Sequence, residues 1–327
     1  NFGASIMRAT GDTKRPFFFL SAAGVVNVFL NLFFVVVCKM DVAGVALATS
    51  ISQGISALCV VIALLKNDGF FRFRFREIRF HGNVAKEIAL IGVPAGIQGM
   101  LFSISNVMLQ SSINGFGPAV MDGNGAAASL EGFVYATMNS VAQTAGSFVS
   151  ANYGAKKPKN IRRTVTYAAI LVVAAWMLSG GIVYFCRQPL LGLYLRPEDT
   201  EAFTAAGERM LAVCCTYFLC GLMDTFAYSL RGVGRSVLSM TVCLAGVCGL
   251  RLAWIYLIFP HPAFHSIYSL MLSYPISWIV TGAVELLLLC IVCAKDRKHY
   301  FVDTTEVTAT NETTATNEAA EVNAATR

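Results

Sequence analysis

Eight long apolar runs dominate this chain, and each is long enough to cross the hydrocarbon core of a bilayer, which takes about 20 helical residues. The chain is 56% hydrophobic and 13% charged, a balance outside the range of soluble globular proteins. A single run could be the buried helix of a soluble core, but eight in series predict an all-α polytopic membrane protein. The runs lie at 17–38, 42–65, 88–114, 123–149, 164–186, 205–230, 236–259 and 267–294.

A short motif occurs twice, each time directly before an apolar run. The segment Arg8–Thr13 (RATGDT) matches the segment Arg231–Ser236 (RGVGRS). Six apolar runs separate the two copies, so the repeating unit is predicted to contain six helices. Duplicated helical units of this kind are typical of secondary transporters.

This repeat predicts two six-helix lobes and their boundaries. Residues 1–66 are expected to be the remainder of an N-terminal lobe, with the end of its helix 4 and its helices 5 and 6. Residues 67–87 would form a cytoplasmic loop between the lobes, and residues 88–298 a complete C-terminal lobe of helices 7 to 12. Residues 299–327 are rich in Thr, Ala, Asn and Glu and are expected to form a disordered cytoplasmic tail. Most of four helices are missing from the first lobe, so we expect an N-terminally incomplete piece of a twelve-span protein.

Lysine and arginine alternate from loop to loop along the chain. One set of loops contains both motif copies and the basic segments at 66–86, 156–163 and 295–298. The opposite loops hold few cations: Lys39, Arg187, Arg196 and, where a helix starts, Arg209. The positive-inside rule therefore predicts a plasma-membrane protein whose C-terminus is cytoplasmic.

Phenylalanine and arginine alternate at 70–76. Such a segment can stack nucleic-acid bases on its rings while arginine holds phosphate. It can also place its rings among lipid headgroups while arginine meets anionic lipid. We favour membrane lipid as the partner and expect no nucleic acid, because the net charge of +6 already follows from the topology.

The ten cysteines fall mostly within or at the ends of apolar runs. There they are expected to act as small packing residues. Cys290 and Cys293 form a single C-x-x-C pair on an apolar helix, which supports neither zinc binding nor redox chemistry. We therefore predict no metal site.

Two ionisable residues, Glu131 and Arg251, lie deep in apolar runs, where a charge costs about 2.5–3.5 kcal/mol unless it faces a partner or a cavity. At 1.5 Å per residue, Glu131 lies roughly 14 Å and Arg251 roughly 12 Å from the external ends of their runs. The matched depths predict that the two side chains pair. The pair would either fix helix packing or exchange its partner for a cation or proton during turnover.

Two further carboxyl groups lie nearer the internal ends of their runs. Asp224 is roughly 9 Å and Glu285 roughly 14 Å from that end. Asp224 is expected either to pair with Arg231 or Arg235 or to serve in a cavity. Glu285 has no cation predicted at its level, so an interhelical or cavity role is expected.

Uncharged polar residues form a second candidate group. Asn106, Gln110 and Asn114 recur every four residues and so share one helix face, with Gln98 earlier in the same run. Asn139 and Gln143 lie on the next run. A polar stripe on a membrane helix is expected to face the bundle interior. These six residues, with the four ionisable ones, are the candidate ion and substrate sites.

Several stretches resemble the multidrug and toxic compound extrusion (MATE) family. They are Arg8–Pro16, Gly92–Pro94, Asn152–Lys157 (NYGAKK), Leu230–Ser236 and Tyr274–Trp278 (YPISW). The resemblance implies two six-helix lobes around a central cavity. It also implies export of organic cations or other amphiphiles in exchange for Na⁺ or H⁺, with no cofactor besides that coupling ion. Ala151 departs from the family pattern, which often has Gln there. The run 88–114 also lacks the acidic residue that some members carry.

The leading prediction is therefore an antiporter for small molecules, working by alternating access between two lobes, and we expect a monomer. The alternative is a flippase for a lipid-linked saccharide precursor, which belongs to the same wider group. A flippase would prefer a basic cavity to bind pyrophosphate, and only Arg251 is visibly within the membrane. An enzyme is disfavoured, since the sequence has no Gly-x-Ser-x-Gly motif, no histidine cluster and no aspartate pair on adjacent runs.

Overall fold

The computed structural model describes residues 2–9, 11–66, 79 and 81–296. Its regular structure is helical throughout these ranges. The α-helices are α1 (Phe2–Ala9), α2 (Lys14–Leu32), α3 (Asp41–Leu65), α4 (Gly82–Asn114), α5 (Pro118–Gly154), α6 (Pro158–Phe185), α7 (Arg187–Leu191), α8 (Thr200–Ala212), α9 (Tyr217–Gly232), α10 (Ser236–Cys243), α11 (Leu250–Ala253) and α12 (Ile267–Asp296). A 3₁₀ turn at Cys214–Thr216 joins α8 to α9, and π-helical turns at Leu244–Gly249 and Trp254–Ile258 flank α11.

Seven stretches of the described chain are long and apolar enough to cross a membrane. They are Lys14–Val37, Asp41–Leu65, Gly82–Asn114, Pro158–Phe185, Thr200–Gly232, Ser236–Ile258 and Ile267–Asp296. Large apolar side chains on these helices, such as Phe18 and Phe29, point outwards. Water would make so much exposed apolar surface unfavourable, whereas lipid does not. The predicted all-α polytopic class is confirmed.

The eighth predicted run, 123–149, lies in α5, which at 37 residues is the longest helix described. It is not among the seven apolar stretches because polar residues interrupt it. Two of them, Asn124 and Glu131, are buried. Helix α5 packs at the centre of its unit, against α6, α8 and α9.

The chain divides into two compact units, Asn1–Gly82 and Asn83–Arg327. In the first, α2 packs on α3, and Ala4 and Met7 of α1 contact Val60 and Leu64. In the second, α12 packs against α8 and α9. The loop predicted at 67–87 is too long, since α4 already begins at Gly82. Residues 70–76 and the predicted tail at 299–327 lie outside the described residues.

The repeated motif forms the same turn in both units. Gly11 and Gly234 have φ angles of +91° and +82°, values that glycine adopts without steric cost. Their N–H groups donate to the carbonyls of Arg8 and Arg231 at 3.0 and 2.9 Å. In each copy the next N–H donates to the carbonyl five residues earlier, at 3.0 and 3.1 Å. The motif thus ends one helix and starts the next.

The helix after each motif copy also has a π-helical turn near its far end. The turn is Phe33–Val37 after the first copy and Trp254–Ile258 after the second. These turns lie at nearly the same distance from the two motif copies, and π-helical turns are rare. Both observations agree with duplication. That α2–α3 superposes on the helices at 236–259 and 267–294 stays a prediction.

The contact of α5 with α8 requires a glycine. A β-carbon on Gly123 would overlap the carbonyl oxygen of Ala202, whereas one on Gly125 meets nothing within 4 Å. We expect Gly123→Ala to lower the free energy of unfolding by about 1–3 kcal/mol through overpacking. Gly125→Ala should leave it unchanged or raise it by about 0.5–1 kcal/mol through lower backbone entropy. Denaturant unfolding in detergent measures both; equal values would contradict the close approach.

The predicted orientation has a direct test. We expect a thiol-reactive, membrane-impermeant reagent added to intact cells to label Glu198→Cys and not Lys159→Cys, in a background without reactive native cysteines. The reason is the loop-by-loop alternation of lysine and arginine. Labelling of both sites from outside would contradict the orientation, and labelling after lysis controls for reactivity.

Candidate functional site

Glu131 of α5 forms a buried ion pair with Arg209 of α8. The two side chains are 2% and 10% exposed, and Arg209 Nη2 lies 2.7 Å from Glu131 Oε2. Arg209 Nε donates to the same oxygen at 3.1 Å, and Nη1 donates to Asn124 Oδ1 at 2.7 Å. The predicted pairing of Glu131 with Arg251 is therefore wrong. Glu131 was correctly expected to face a cation within the bundle, but that cation is Arg209.

Arg209 is not among the residues predicted to lie inside the membrane, because the apolar run that contains it begins at residue 205. That start leaves Arg209 only about 6 Å from the end of the run, where it resembles a loop residue. Helix α8 begins at Thr200, which puts Arg209 about 14 Å along the helix. Glu201 in the first turn of α8 is the sequence signal that marks the earlier start.

Arg251 lies on α11 among aromatic and hydroxyl groups. Its guanidinium carbon is 4.1 Å from the ring centre of Tyr274 and 5.9 Å from that of Trp278. It donates to Ser277 Oγ and Asn106 Oδ1, both at 3.3 Å. Within the described residues no carboxylate lies within ion-pair distance of this buried cation. Its charge is stabilised instead by the aromatic rings and by hydrogen bonds to neutral acceptors.

Asp224 of α9 is half-buried and bonds to neutral donors of α5. Asn139 Nδ2 donates to its Oδ2 at 3.3 Å, and the Tyr135 hydroxyl is a second partner. The predicted ion pair with Arg231 or Arg235 does not form, although the charge of Arg231 still acts on the Asp224 carboxylate through space. Arg231 donates to Gln98 Oε1 at 3.1 Å, and Arg235 lies 3.8 Å from Asp296.

Glu285 of α12 is fully buried between α10 and α12. Ser239 and Cys243 donate to its Oε1 at 3.2 and 3.3 Å. Its Oε2 has no hydrogen-bond partner, and no cation of the described residues is within ion-pair distance. Glu285 therefore lies between two helices, as expected.

The predicted polar stripe on α4 reaches buried partners at two of its three positions. Asn106 contacts Arg251, and Gln110 accepts from Asn124 Nδ2 at 3.1 Å. Asn114 is exposed and accepts from Gln110 at 3.0 Å. On α5, Gln143 donates to Asn139, which in turn donates to Asp224.

Four aromatic rings connect these polar groups. Ring centres are 6.1 Å apart for Tyr135 and Tyr217, 5.2 Å for Tyr217 and Trp278, and 5.6 Å for Trp278 and Tyr274. Tyr135 bonds Asp224 at one end of this aromatic chain, and Tyr274 lies over Arg251 at the other. In the sequence, the YPISW segment is identifiable only as a family motif, because the aromatic grouping forms only when α5, α9 and α12 come together.

The first unit carries a polar groove that is not among the sequence-predicted sites. It has a volume of about 180 Å³ and lies between α2 and α3. Asn27 Nδ2 donates to Ser52 Oγ at 3.1 Å, and Asn31 Nδ2 to Asn27 Oδ1 at 3.0 Å. Asn27 and Asn31, four residues apart in an apolar run, are the pattern that would have identified it.

Several known proteins have sequences similar to this chain. The chain is 26% identical over 211 residues to the probable multidrug resistance protein YpnP of Bacillus subtilis (strain 168), covering 64% of this chain and 46% of that protein. It is 22% identical over 281 residues to the FAD transporter of Shewanella oneidensis, covering 84% of this chain and 61% of that protein. The chain thus spans about half to three fifths of the length of these relatives.

Solved structures share the fold. A structure described as the outward-facing conformation of a multidrug resistance MATE family transporter of the MOP superfamily superposes with a TM-score of 0.83 at 17% identity, covering 90% of this chain and 66% of that one. The MatE family model matches residues 94–257, half of the chain. This chain belongs to the MatE family.

Proposed function

We propose that the protein is a secondary active antiporter that exports organic cations or other amphiphilic small molecules in exchange for Na⁺ or H⁺. The observation that carries the proposal is Asp224, a half-buried carboxyl group in a membrane-spanning helix that is held only by neutral donors. Such a group is costly in a membrane and is typical of an ion or proton site.

The three interior carboxyl groups differ in whether each can bind and release a coupling ion or proton. Glu131 is held by Arg209 through two hydrogen bonds and is buried, so its role is to fix α5 to α8. Glu285 is enclosed by α10 and α12. Asp224 combines partial exposure with neutral hydrogen-bond partners, and Arg231 acts on its charge only from beyond ion-pair distance. A bound Na⁺ or H⁺ at Asp224 would neutralise that charge, and release of the ion would restore it.

The aromatic chain beside Asp224 favours organic cations as substrates. Tyr135 is 38% exposed, and its hydroxyl bonds the carboxyl group. Aromatic faces attract quaternary and protonated amines, and a nearby carboxylate adds the opposite charge. A cationic substrate and the coupling ion would therefore compete for Asp224, which is the coupling that antiport requires.

The names of the relatives support transport but differ in the substrate. One is named as a multidrug resistance protein and another as an FAD transporter. The test uses the protein at full length in liposomes with an imposed Na⁺ or H⁺ gradient. We expect uptake of a fluorescent organic cation against its own gradient only while the ion gradient lasts. Uptake that is unchanged after an ionophore collapses both gradients would contradict the proposal. A parallel assay with FAD in place of the organic cation tests whether the protein transports an anion instead.

A further inference from the structure

An open groove of about 420 Å³ lies between the start of α6 and the end of α12. Ile161, Val165, Leu286 and Leu289 form its apolar walls, and Arg162 lines it as the charged residue. The flanking helix faces expose large apolar side chains, including Ile170 on α6 and Leu287 and Ile291 on α12. The groove therefore opens on surfaces of the kind that contact lipid.

The dimensions of the groove match part of an acyl chain. Its lining residues on α12 run from Leu286 to Cys293, which is about 10 Å along a helix. Helix α6 begins at Pro158 and α12 ends at Asp296, so both helix ends lie on the side that the positive-inside rule predicts to be cytoplasmic. The groove thus runs from a polar helix end into the apolar part of the helices.

Positive charge collects at the polar end of this groove. Lys159, Arg162 and Arg163 line a shared surface depression there. No carboxylate of the described residues lies within ion-pair distance of these three cations. The nearby acid, Asp296, is already engaged: it accepts from the Tyr153 hydroxyl at 2.9 Å and lies 3.8 Å from Arg235.

We propose that this groove binds an anionic phospholipid, independently of the transport function. The phosphodiester would meet Arg162, Arg163 and Lys159, and one acyl chain would lie between α6 and α12. Uncompensated cations beside a membrane-facing groove attract anionic headgroups, and the apolar walls retain the chain. A zwitterionic lipid offers the same chain but no net charge to these cations.

The test compares lipid binding by native mass spectrometry of the purified protein, with phosphatidylglycerol and phosphatidylcholine added separately. We expect one phosphatidylglycerol to be retained more tightly than phosphatidylcholine. Arg162→Gln/Arg163→Gln should weaken phosphatidylglycerol binding about 25-fold, at about fivefold per charge. Cys290→Trp, which fills the groove and keeps the charge, should also weaken it.

The matched control is Lys14→Gln/Arg15→Gln, which removes two charges from the start of α2 and should leave binding unchanged. Equal affinity for the two lipids, or unchanged binding in the Arg162/Arg163 double variant, would overturn the proposal. Truncation after Asp296 tests whether residues 297–327 occupy the groove instead. Binding that appears only after truncation would overturn the proposal, and equal binding with and without these residues supports it.

Discussion

Glu131→Gln is expected to lower the free energy of unfolding by about 3 kcal/mol, because it leaves Arg209 charged in a buried site without its counter-charge. The amide oxygen can still accept both hydrogen bonds from Arg209 but carries no charge to compensate the guanidinium. Asn124 still accepts from Nη1 at 2.7 Å, which keeps the loss from being larger. Denaturant unfolding in detergent, followed by tryptophan fluorescence, measures the change.

A double-mutant cycle separates the ion pair from other effects of the substitution. Glu131→Gln/Arg209→Gln should recover most of the loss, since neither charge then remains in the interior. Glu201→Gln is the matched control, because Glu201 is exposed on α8 and the chemical change is the same. Additive losses at Glu131 and Arg209 would contradict a direct pair.

Asp224→Asn is expected to abolish ion-driven export while the protein still folds. Asn139 and Tyr135 are neutral, so no ion pair in direct contact is broken when the carboxylate becomes an amide, and Arg231 keeps its hydrogen bond to Gln98. An amide cannot exchange a proton and provides no charge for Na⁺ or an organic cation. Uptake in liposomes should therefore fall to the level of protein-free vesicles, with the free energy of unfolding close to that of the unmodified protein.

Asp122→Asn is the matched control for this variant, because Asp122 is an exposed aspartate on α5. Asp224→Glu should restore part of the ion-driven uptake, since it returns the carboxyl group at a slightly different position. Full ion-driven export by Asp224→Asn would remove Asp224 from the coupling step. The comparison with Glu131→Gln is informative because that variant should lose stability and Asp224→Asn should not.

Span positions were predictable because a bilayer requires long apolar runs whatever the packing. The run predicted at 236–259 is observed as Ser236–Ile258, and that at 17–38 as Lys14–Val37. The repeated turns were predictable in part, since glycine at Gly11 and Gly234 marks helix ends. The π-helical turns were not, because nothing in the local composition requires them.

Pairing partners were less predictable, because depth in a membrane does not fix which way a helix faces. Glu131 and Arg251 have similar depths, yet Glu131 contacts α8 while Arg251 faces α12 and α4. The rotation of each helix follows from close contacts such as Gly232 with Gly146, where an added β-carbon would lie 2.7 Å from a carbonyl oxygen. Such contacts depend on two helices at once and leave no pattern in either sequence.

The most direct test of antiport is reciprocal flux. In liposomes without an imposed ion gradient, an outward gradient of an organic cation should drive Na⁺ or H⁺ inward through the full-length protein, because coupling between two ligands acts in both directions. We predict that this ion movement occurs with the unmodified protein and with Asp122→Asn, and is lost with Asp224→Asn. Movement of the organic cation without any ion flux, or an ion flux that persists in Asp224→Asn, would contradict the account.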